Sequence, residues 1–244
     1  MMKLKNNIVM KRMKLVFLMI VSLFPAVNHV TAQKIQQMIV HSNGNVLYTT
    51  NLSESDSITF PKFNVSNSAS GVEINGVVWA SFNVNTPGTF ASKPEDAGMF
   101  YQWNRPVGWS STDPLINSEG GSAWNSTSAS GTSWTTDNDP CPAGWRLPTR
   151  NEFTGLLNSG SIWGVLNGIN GRFFGNGEER IFFPVVGYRS DDNGALNYVD
   201  SRGYYWSSTA SGSEFAFYLY FNSSQTSMSD YFRNNGFPVR CVTE

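Results

Sequence analysis

The chain has 244 residues, with 17 lysines and arginines, 18 aspartates and glutamates, and aromatic and charged shares of 14% each. Five basic residues and no acidic ones precede Gln33, so the remainder has 12 basic and 18 acidic residues, a net charge of −6. No lysine or arginine cluster follows Lys34, which excludes a nucleic-acid binder. Many aromatic residues spaced by Gly, Ser, Asn and Thr are typical of a loop-rich, β-rich extracellular domain with a core.

Residues 1–32 have the three-part layout of a secretory signal peptide. A basic segment precedes the apolar run LVFLMIVSLFPAV, and Val30 and Ala32 are small residues placed before a cleavage site. An N-terminal membrane anchor is the alternative, but the run is shorter than the about 20 apolar residues of a span. We therefore expect an exported protein that begins near Gln33, is not transmembrane after cleavage, and resides at the cell surface, outside the cell or in the periplasm.

Residues 33–60 are predicted to form a small β-hairpin segment. The runs QMIVH and VLYTT are β-prone, and Asn43-Gly44 between them is a strong hairpin signal. DSITF is predicted to be a third strand. Residues 61–71 are polar and rich in Ser and Asn, which is typical of a linker. Residues 34–60 also offer a route to self-assembly by strand addition.

The main domain is predicted to span residues 72–244. Its first part, GVEINGVVWASFNV, predicts two strands around Asn75-Gly76, and GMFYQWN predicts an aromatic strand. Residues 105–139 lack periodicity, and we expect their three tryptophans to anchor this long loop to the core: Trp109, Trp124 and Trp134. The run FAFYLYF alternates poorly and predicts a central strand covered on both faces.

The clearest helix begins after Thr149. Thr149 and Glu152 have the spacing of a capping box, in which each side chain satisfies a free N–H of the other residue. Phe153, Leu156 and Leu157 then recur on one helical face. Asn158-Ser159-Gly160 is predicted to end the helix.

Catalytic side chains are scarce. Of the two histidines only His41 follows the predicted signal peptide, which argues against Ser–His–Asp and Cys–His catalysis and against Cys/His zinc sites. Three carboxylate pairs match the residue types of glycoside hydrolases, but their polar loops favour solvated turns; they are Asp137/Asp139, Glu178/Glu179 and Asp191/Asp192. Calcium stays open, because TDNDP and RSDDNG cluster oxygen ligands without the spacing of a calcium loop. We predict no cofactor.

The two cysteines, Cys141 and Cys241, are expected to pair in an exported chain. Closing a loop of 241 − 141 = 100 residues contributes about 4–5 kcal/mol in the chain-entropy model. Two free thiols are the alternative. A catalytic Cys141 would need a nearby base or helix N-terminus, and it precedes the predicted helix by eight residues.

The string DPCPAGWRLPTRNEF resembles the signature of the FISUMP domain, a bacterial major paralogous domain family. Further strings resemble the family's other motifs in order: EINGVVWASFNV, GMFYQWN, FFPVVGYR, GYYWSST and GFPVRCV. The resemblance covers about Val72 to Val242. It implies an α+β, β-rich, C-type-lectin-like domain with long loops, in a fold shared with formylglycine-generating enzymes. It also implies a disulfide between the helix region and the last strand, where Cys141 and Cys241 lie.

The sequence departs from two activities of this fold. The strings Glu-Pro-Asn, Gln-Pro-Asp and Trp-Asn-Asp, which supply calcium ligands in sugar-binding lectins, are absent. Calcium-dependent sugar binding is therefore not implied. Formylglycine generation is not implied either, because it needs cysteine chemistry and both cysteines are predicted to be structural.

We therefore expect an exported, non-catalytic, adhesin-like binding module that recognises a glycan or a protein. The resemblance places ligand contacts among the late loops, and residues 222–236 form such a loop with four candidate residues: Asp230, Tyr231, Arg233 and Asn234. Packing beneath the loop is an equal alternative for Tyr231 and is favoured for Phe232. The alternative functions are a structural subunit of a surface appendage and an enzyme, either of the formylglycine-generating type or a carboxylate hydrolase.

Overall fold

The structure is a computed structural model that describes residues 37–42, 45–51, 71–176 and 179–244. The chain divides into two compact units, Met1–Pro61 and Lys62–Glu244. The predicted signal peptide, the Asn43-Gly44 turn, the strand DSITF and the predicted linker before Gly71 lie outside the described residues. None of the helices in the described ranges has the length and apolar character needed to cross a membrane.

In the first unit, strand β1 (Gln37–Ser42) pairs antiparallel with strand β2 (Asn45–Asn51). The register shifts between Val40 and His41. The predicted strands QMIVH and VLYTT are confirmed, whereas assembly through residues 34–60 stays a prediction.

The second unit contains fifteen strands, one α-helix and a short 3₁₀ helix (Thr136–Asn138) among its described residues. In chain order the elements are β3 (Val72–Ile74), β4 (Val77–Asn83), β5 (Phe100–Gln102), β6 (Gly108–Trp109), β7 (Trp145–Arg146), α1 (Arg150–Asn158), β8 (Ser161–Leu166), β9 (Ile169–Phe174), β10 (Ile181–Pro184), β11 (Tyr188–Arg189), β12 (Leu196–Asn197), β13 (Gly203–Ser211), β14 (Phe215–Phe221), β15 (Thr226–Phe232), β16 (Gly236–Pro238) and β17 (Arg240–Thr243).

These strands form four antiparallel sheets. Their strand orders are β3-β4-β17-β7, β12-β11-β16-β5-β6, β10-β9-β8 and β13-β14-β15. The last strand, β17, therefore lies between β4 and β7. The predicted β-rich class is confirmed.

Local sequence signals explain the β3–β4 turn and the helix. Asn75 and Gly76 both have positive φ, 53° and 78°, as a two-residue hairpin turn of this kind requires. At the start of α1, the Thr149 side chain accepts from the Glu152 backbone, and the Glu152 side chain accepts from the Thr149 backbone. The predicted hairpin, capping box and buried helical face are confirmed, since Phe153 and Leu156 are buried.

Two aromatic core clusters lie on opposite faces of the β13–β14–β15 sheet. Leu219 and Phe221 of β14 belong to the cluster that contains Phe153 of α1. Ala216 and Tyr218 of the same strand belong to the other cluster. The prediction that FAFYLYF is a central strand packed on both faces is confirmed. Each large apolar side chain buried there stabilises the folded state by about 1.5–3 kcal/mol.

Tryptophans anchor the long loop between β5 and α1. The Trp134 Nε1–H donates to the Asn138 carbonyl at 2.8 Å, and the Trp134 ring lies 5.9 Å from that of Trp103. Trp109 is buried in β6, and the Trp124 Nε1–H donates to the distant Asp191 carbonyl at 3.0 Å. The sequence prediction of tryptophan anchors is confirmed.

Cys141 and Cys241 form a disulfide with their Cα atoms 6.1 Å apart. The bond connects the segment that precedes α1 to β17. Both cysteines of the sequence are used, so the predicted pairing is confirmed and neither cysteine is a free thiol.

Candidate ligand-binding cleft

Strand register places tyrosines and serines together on one face of the β13–β14–β15 sheet. Tyr204 pairs with Tyr220, Tyr220 with Ser227, and Tyr218 with Ser229. Directly paired residues of antiparallel strands point to the same face, so these five side chains share it.

A cleft of about 390 Å³ opens over this face, within the roughly 300–1,000 Å³ range of small-molecule sites. Six of the nine tyrosines in the sequence line it: Tyr188, Tyr198, Tyr204, Tyr218, Tyr220 and Tyr231. The other lining residues are Arg202, Gln225, Ser227 and Ser229. The lining therefore combines aromatic rings with neutral hydrogen-bonding groups, one cation and no carboxylate.

Gly187 helps to bring β11 to this cleft. Its φ of +70° lies in the left-handed region, which favours glycine, and its backbone N–H donates to the Arg202 carbonyl at 3.0 Å. The next residue, Tyr188, then contacts the sheet, with its ring 4.8 Å from that of Tyr204 and 6.2 Å from that of Tyr231.

Burial raises the pKa of three phenol groups in the cleft, so these three are protonated at neutral pH. Burial, followed by the neighbouring Tyr231, raises the pKa of Tyr188 well above its usual value. Burial raises the pKa of Tyr204 to about 12, despite the opposing effect of Arg202, and burial also raises the pKa of Tyr218. Each of these hydroxyls can therefore both donate and accept a hydrogen bond.

Arg202 supplies the positive charge of the cleft. Its guanidinium carbon lies 3.8 Å from the centre of the Tyr198 ring, and the group also interacts with the Tyr204 hydroxyl. Arg202 is half-buried, and Tyr198 is 46% exposed. The stacked pair forms one wall of the cleft.

Of the four residues predicted to bind ligand, Tyr231 lines the cleft. Asp230 is its neighbour on β15 and points to the opposite face, where its Oδ2 accepts from the Ser211 hydroxyl at 2.7 Å. The prediction of a loop over residues 222–236 is wrong, because Thr226–Phe232 pairs along its whole length with β14. The polar run TSMSDYF lacks the apolar alternation that marks a strand.

Arg233 and Asn234 are buried, so the expectation that Arg233 is an exposed anchor is wrong. Arg233 lies over the Trp103 ring at 4.2 Å. Its guanidinium donates to three backbone carbonyls, those of Phe215, Ala129 and Gly212, at 3.1, 2.9 and 2.6 Å. The Asn234 amide donates to two more, those of Ser126 and Asp191, at 2.8 and 3.1 Å. Both side chains hold loops together beneath the surface.

The sequence interpretation missed the other nine lining residues. One signal was present: seven of the nine tyrosines fall at positions 188 to 231. That density marks an amphipathic aromatic surface, because a tyrosine buries its ring and keeps its hydroxyl accessible.

The carboxylates singled out from the sequence lie elsewhere. Asp139 accepts from the backbone N–H groups of Cys141 and Leu147 at 2.9 and 3.1 Å. Burial raises the pKa of Asp139, and this effect is larger than the opposing effect of the two hydrogen bonds. Asp192 accepts from the Ser190 hydroxyl, and Glu178 lies outside the described residues. Within residues 71–176 and 179–244, no three His, Cys, Asp or Glu side chains come together in a way that could hold a metal ion.

Comparison with known proteins gives one match. A family model described as a domain of unknown function, DUF8237, matches residues 169–242, less than half of the chain. The matched segment runs from β9 into β17 and includes every residue that lines the cleft. No curated protein and no solved structure matches the chain.

Proposed function

We propose that this protein is an exported, adhesin-like binding module that holds a glycan in the tyrosine cleft. The observation that carries the proposal is the lining itself, in which six tyrosines alternate with serine, glutamine and arginine side chains. Sugars present apolar C–H faces beside many hydroxyl groups. Aromatic rings pack against the C–H faces. Phenol, amide and serine groups bind the sugar hydroxyls, because each can both donate and accept a hydrogen bond.

Tyrosine also limits the entropy lost on binding. Its ring has two rotatable bonds, so it provides a large and rigid contact area at low conformational cost. In this cleft the rings support one another, for example Tyr204 and Tyr218 at 5.6 Å. We infer that the surface is largely formed before ligand arrives.

The lining also favours binding over catalysis. General acid–base catalysis works best with a group whose pKa lies near the operating pH. Burial moves the pKa values of Tyr188, Tyr204 and Tyr218 away from neutrality. No histidine, cysteine or carboxylate lines the cleft.

We further propose that the main domain is a C-type-lectin-like domain of the FISUMP family. The ordered motifs of the sequence support this. So does the disulfide between the segment before α1 and the last strand. The basic and apolar N-terminal residues support export.

Binding to a glycoprotein before and after removal of its glycans tests the glycan proposal. The purified protein is passed over immobilised mucin and over the same mucin after deglycosylation, and a glycan array is probed in parallel. We expect saturable binding that is lost on deglycosylation, and retention of defined glycans on the array. Unchanged binding to the deglycosylated mucin would identify a protein ligand and overturn the proposal, as would an array without any bound glycan.

A further inference from the structure

Arg202 differs from the buried arginines of this domain. Arg189, Arg233 and Arg240 are each about 0–1% exposed. Their N–H groups donate mainly to backbone carbonyls, and Arg189 and Arg240 also donate to side chains, including those of Asp113 and Asn83. They hold separate segments together, for example Arg240, which connects Ala80 to Phe182. The N–H groups of these three arginines are used in hydrogen bonds within the domain, and none of the three residues lines the cleft.

The Arg202 guanidinium has few partners. Among the described residues it contacts the Tyr198 ring and interacts with the Tyr204 hydroxyl. Within the same part of the chain, no backbone carbonyl accepts from it and no carboxylate forms an ion pair with it. A guanidinium has five N–H donors in one plane, so most of them are available to a ligand in the cleft.

Stacking prepares this group for a planar anion. The Arg202 guanidinium carbon lies 3.8 Å over the Tyr198 ring, and a guanidinium that stacks on a ring face keeps the N–H groups of its edge as donors. A carboxylate presents two oxygens in a plane that match two parallel N–H groups. We propose that the glycan is acidic and that Arg202 binds its carboxylate, as found in a uronic acid or a sialic acid. This inference rests on the proposed function of the cleft.

The net negative charge of the domain favours a ligand with a single, isolated anionic group. Residues 71–244 contain 10 basic and 16 acidic residues, a net charge of −6. A densely charged polyanion would be repelled by this surface. A single carboxylate on an otherwise neutral glycan meets the one cation of the cleft and avoids that repulsion.

Two matched pairs of probes test the inference by isothermal titration calorimetry on the full chain. Sialyllactose is compared with lactose, and an oligogalacturonate with its carboxyl-reduced form; the pair that binds identifies the source of the carboxylate. We expect the acidic member to bind about 10- to 100-fold more tightly, the range of a bidentate charge-assisted contact. Because these comparisons use the native protein, they do not depend on whether a variant folds.

Variants assign the effect to Arg202. In Arg202→Gln we expect acidic and neutral probes to bind equally, and in Arg202→Lys about a tenfold preference at most. Arg150→Gln is the matched control, because Arg150 also stacks on an aromatic ring, at 4.1 Å over Phe217, on the opposite face of the same sheet. Near-ultraviolet circular dichroism verifies the fold of each variant.

The outcomes separate the two proposals. Equal binding of acidic and neutral probes by the native protein overturns the acidic ligand and leaves glycan binding intact. An acid preference that survives in Arg202→Gln also overturns it, as does tighter binding of dextran sulfate than of any carboxylated probe. If the cleft binds no glycan in the array experiment, the proposed function itself has failed.

Discussion

Tyr231 and Phe232 are consecutive residues of β15 that lie on opposite faces of its sheet. Tyr231 lines the cleft, with its ring 6.4 Å from those of Tyr218 and Phe237. Phe232 instead packs against Phe215, with ring centres 4.5 Å apart, and is 38% exposed. Two aromatic residues of similar size on one strand therefore give a matched pair, one inside and one outside the proposed site.

We predict that Tyr231→Ala weakens binding to immobilised mucin by about tenfold or more, because it removes a ring and a hydroxyl from the cleft. Tyr231→Phe keeps the ring and is expected to lose less. Phe232→Ala should bind mucin as the native protein does. Surface plasmon resonance measures all three, and equal losses in Tyr231→Ala and Phe232→Ala would contradict the position of the site.

The disulfide is predicted to be a large source of stability. Cys141→Ser or Cys241→Ser opens a loop of 100 residues and should lower the free energy of unfolding by about 4–5 kcal/mol. The double variant should resemble either single variant, because all three lose the same cross-link. Urea unfolding measures each value. The native protein under reducing conditions is the control, and a loss below about 1 kcal/mol would contradict the prediction.

Features with local signals could be predicted from the sequence. The capping box needs only Thr149 and Glu152 three residues apart, and the β3–β4 turn needs only Asn75-Gly76. The disulfide followed from there being two cysteines in a chain that its sequence predicts to be exported. In each case the residues that form the feature identify it without knowledge of the wider fold.

The cleft could not be predicted in this way, because its residues come from separate strands. Tyr188 belongs to β11, and Tyr204, Tyr220 and Tyr231 belong to β13, β14 and β15. The register of these strands brings the four side chains together. Because the register depends on how distant strands pair, no single segment of the sequence predicts it.

Arg233 shows why a polar sequence context can mislead. It lies in the stretch DYFRNNG, which is typical of an exposed loop. Its burial depends on carbonyls of Ala129 and Gly212, distant by 104 and 21 residues in the chain. Long-range acceptors of this kind have no signature in the sequence.

Arg240 is predicted to be important for stability. It is fully buried and donates to the Asn83 side chain and to the carbonyls of Ala80 and Phe182, at 2.9, 3.0 and 3.1 Å. Burial lowers its pKa to about 10, so it remains charged at neutral pH. Arg240→Met leaves three acceptors without a donor and should cost about 3 kcal/mol or more of unfolding free energy.

Urea unfolding of Arg240→Met is compared with that of Arg150→Met. Arg150 is exposed, and its replacement should change the unfolding free energy by less than about 0.5 kcal/mol. Arg240→Lys retains the charge but loses the planar guanidinium with its several N–H donors. Its unfolding free energy should therefore lie between those of the native protein and Arg240→Met. Equal stability of the Arg240 and Arg150 variants would show that the buried network contributes little.

Glu152 should make stability depend on pH in the acid range. Its Oε1 lies 2.7 Å from the Arg146 guanidinium, and its Oε2 accepts from the Thr149 backbone N–H at 2.7 Å. Burial tends to raise the pKa of Glu152, but the bonds from Arg146 and Thr149 outweigh it and lower the pKa. The folded state therefore binds this proton less readily than the unfolded state.

A lowered folded pKa gives stability that is fully present above the unfolded value of about 4.3 and is lost as the pH falls through the folded value. We predict that Glu152→Gln lowers the unfolding free energy by about 1 kcal/mol at about pH 7, and that the difference from the native protein disappears near pH 2. Urea titrations at both pH values measure it. Glu214→Gln, in an exposed turn, should match the native protein at each pH, and a Glu152→Gln deficit that persists at low pH would show that packing, and not the charge, is responsible.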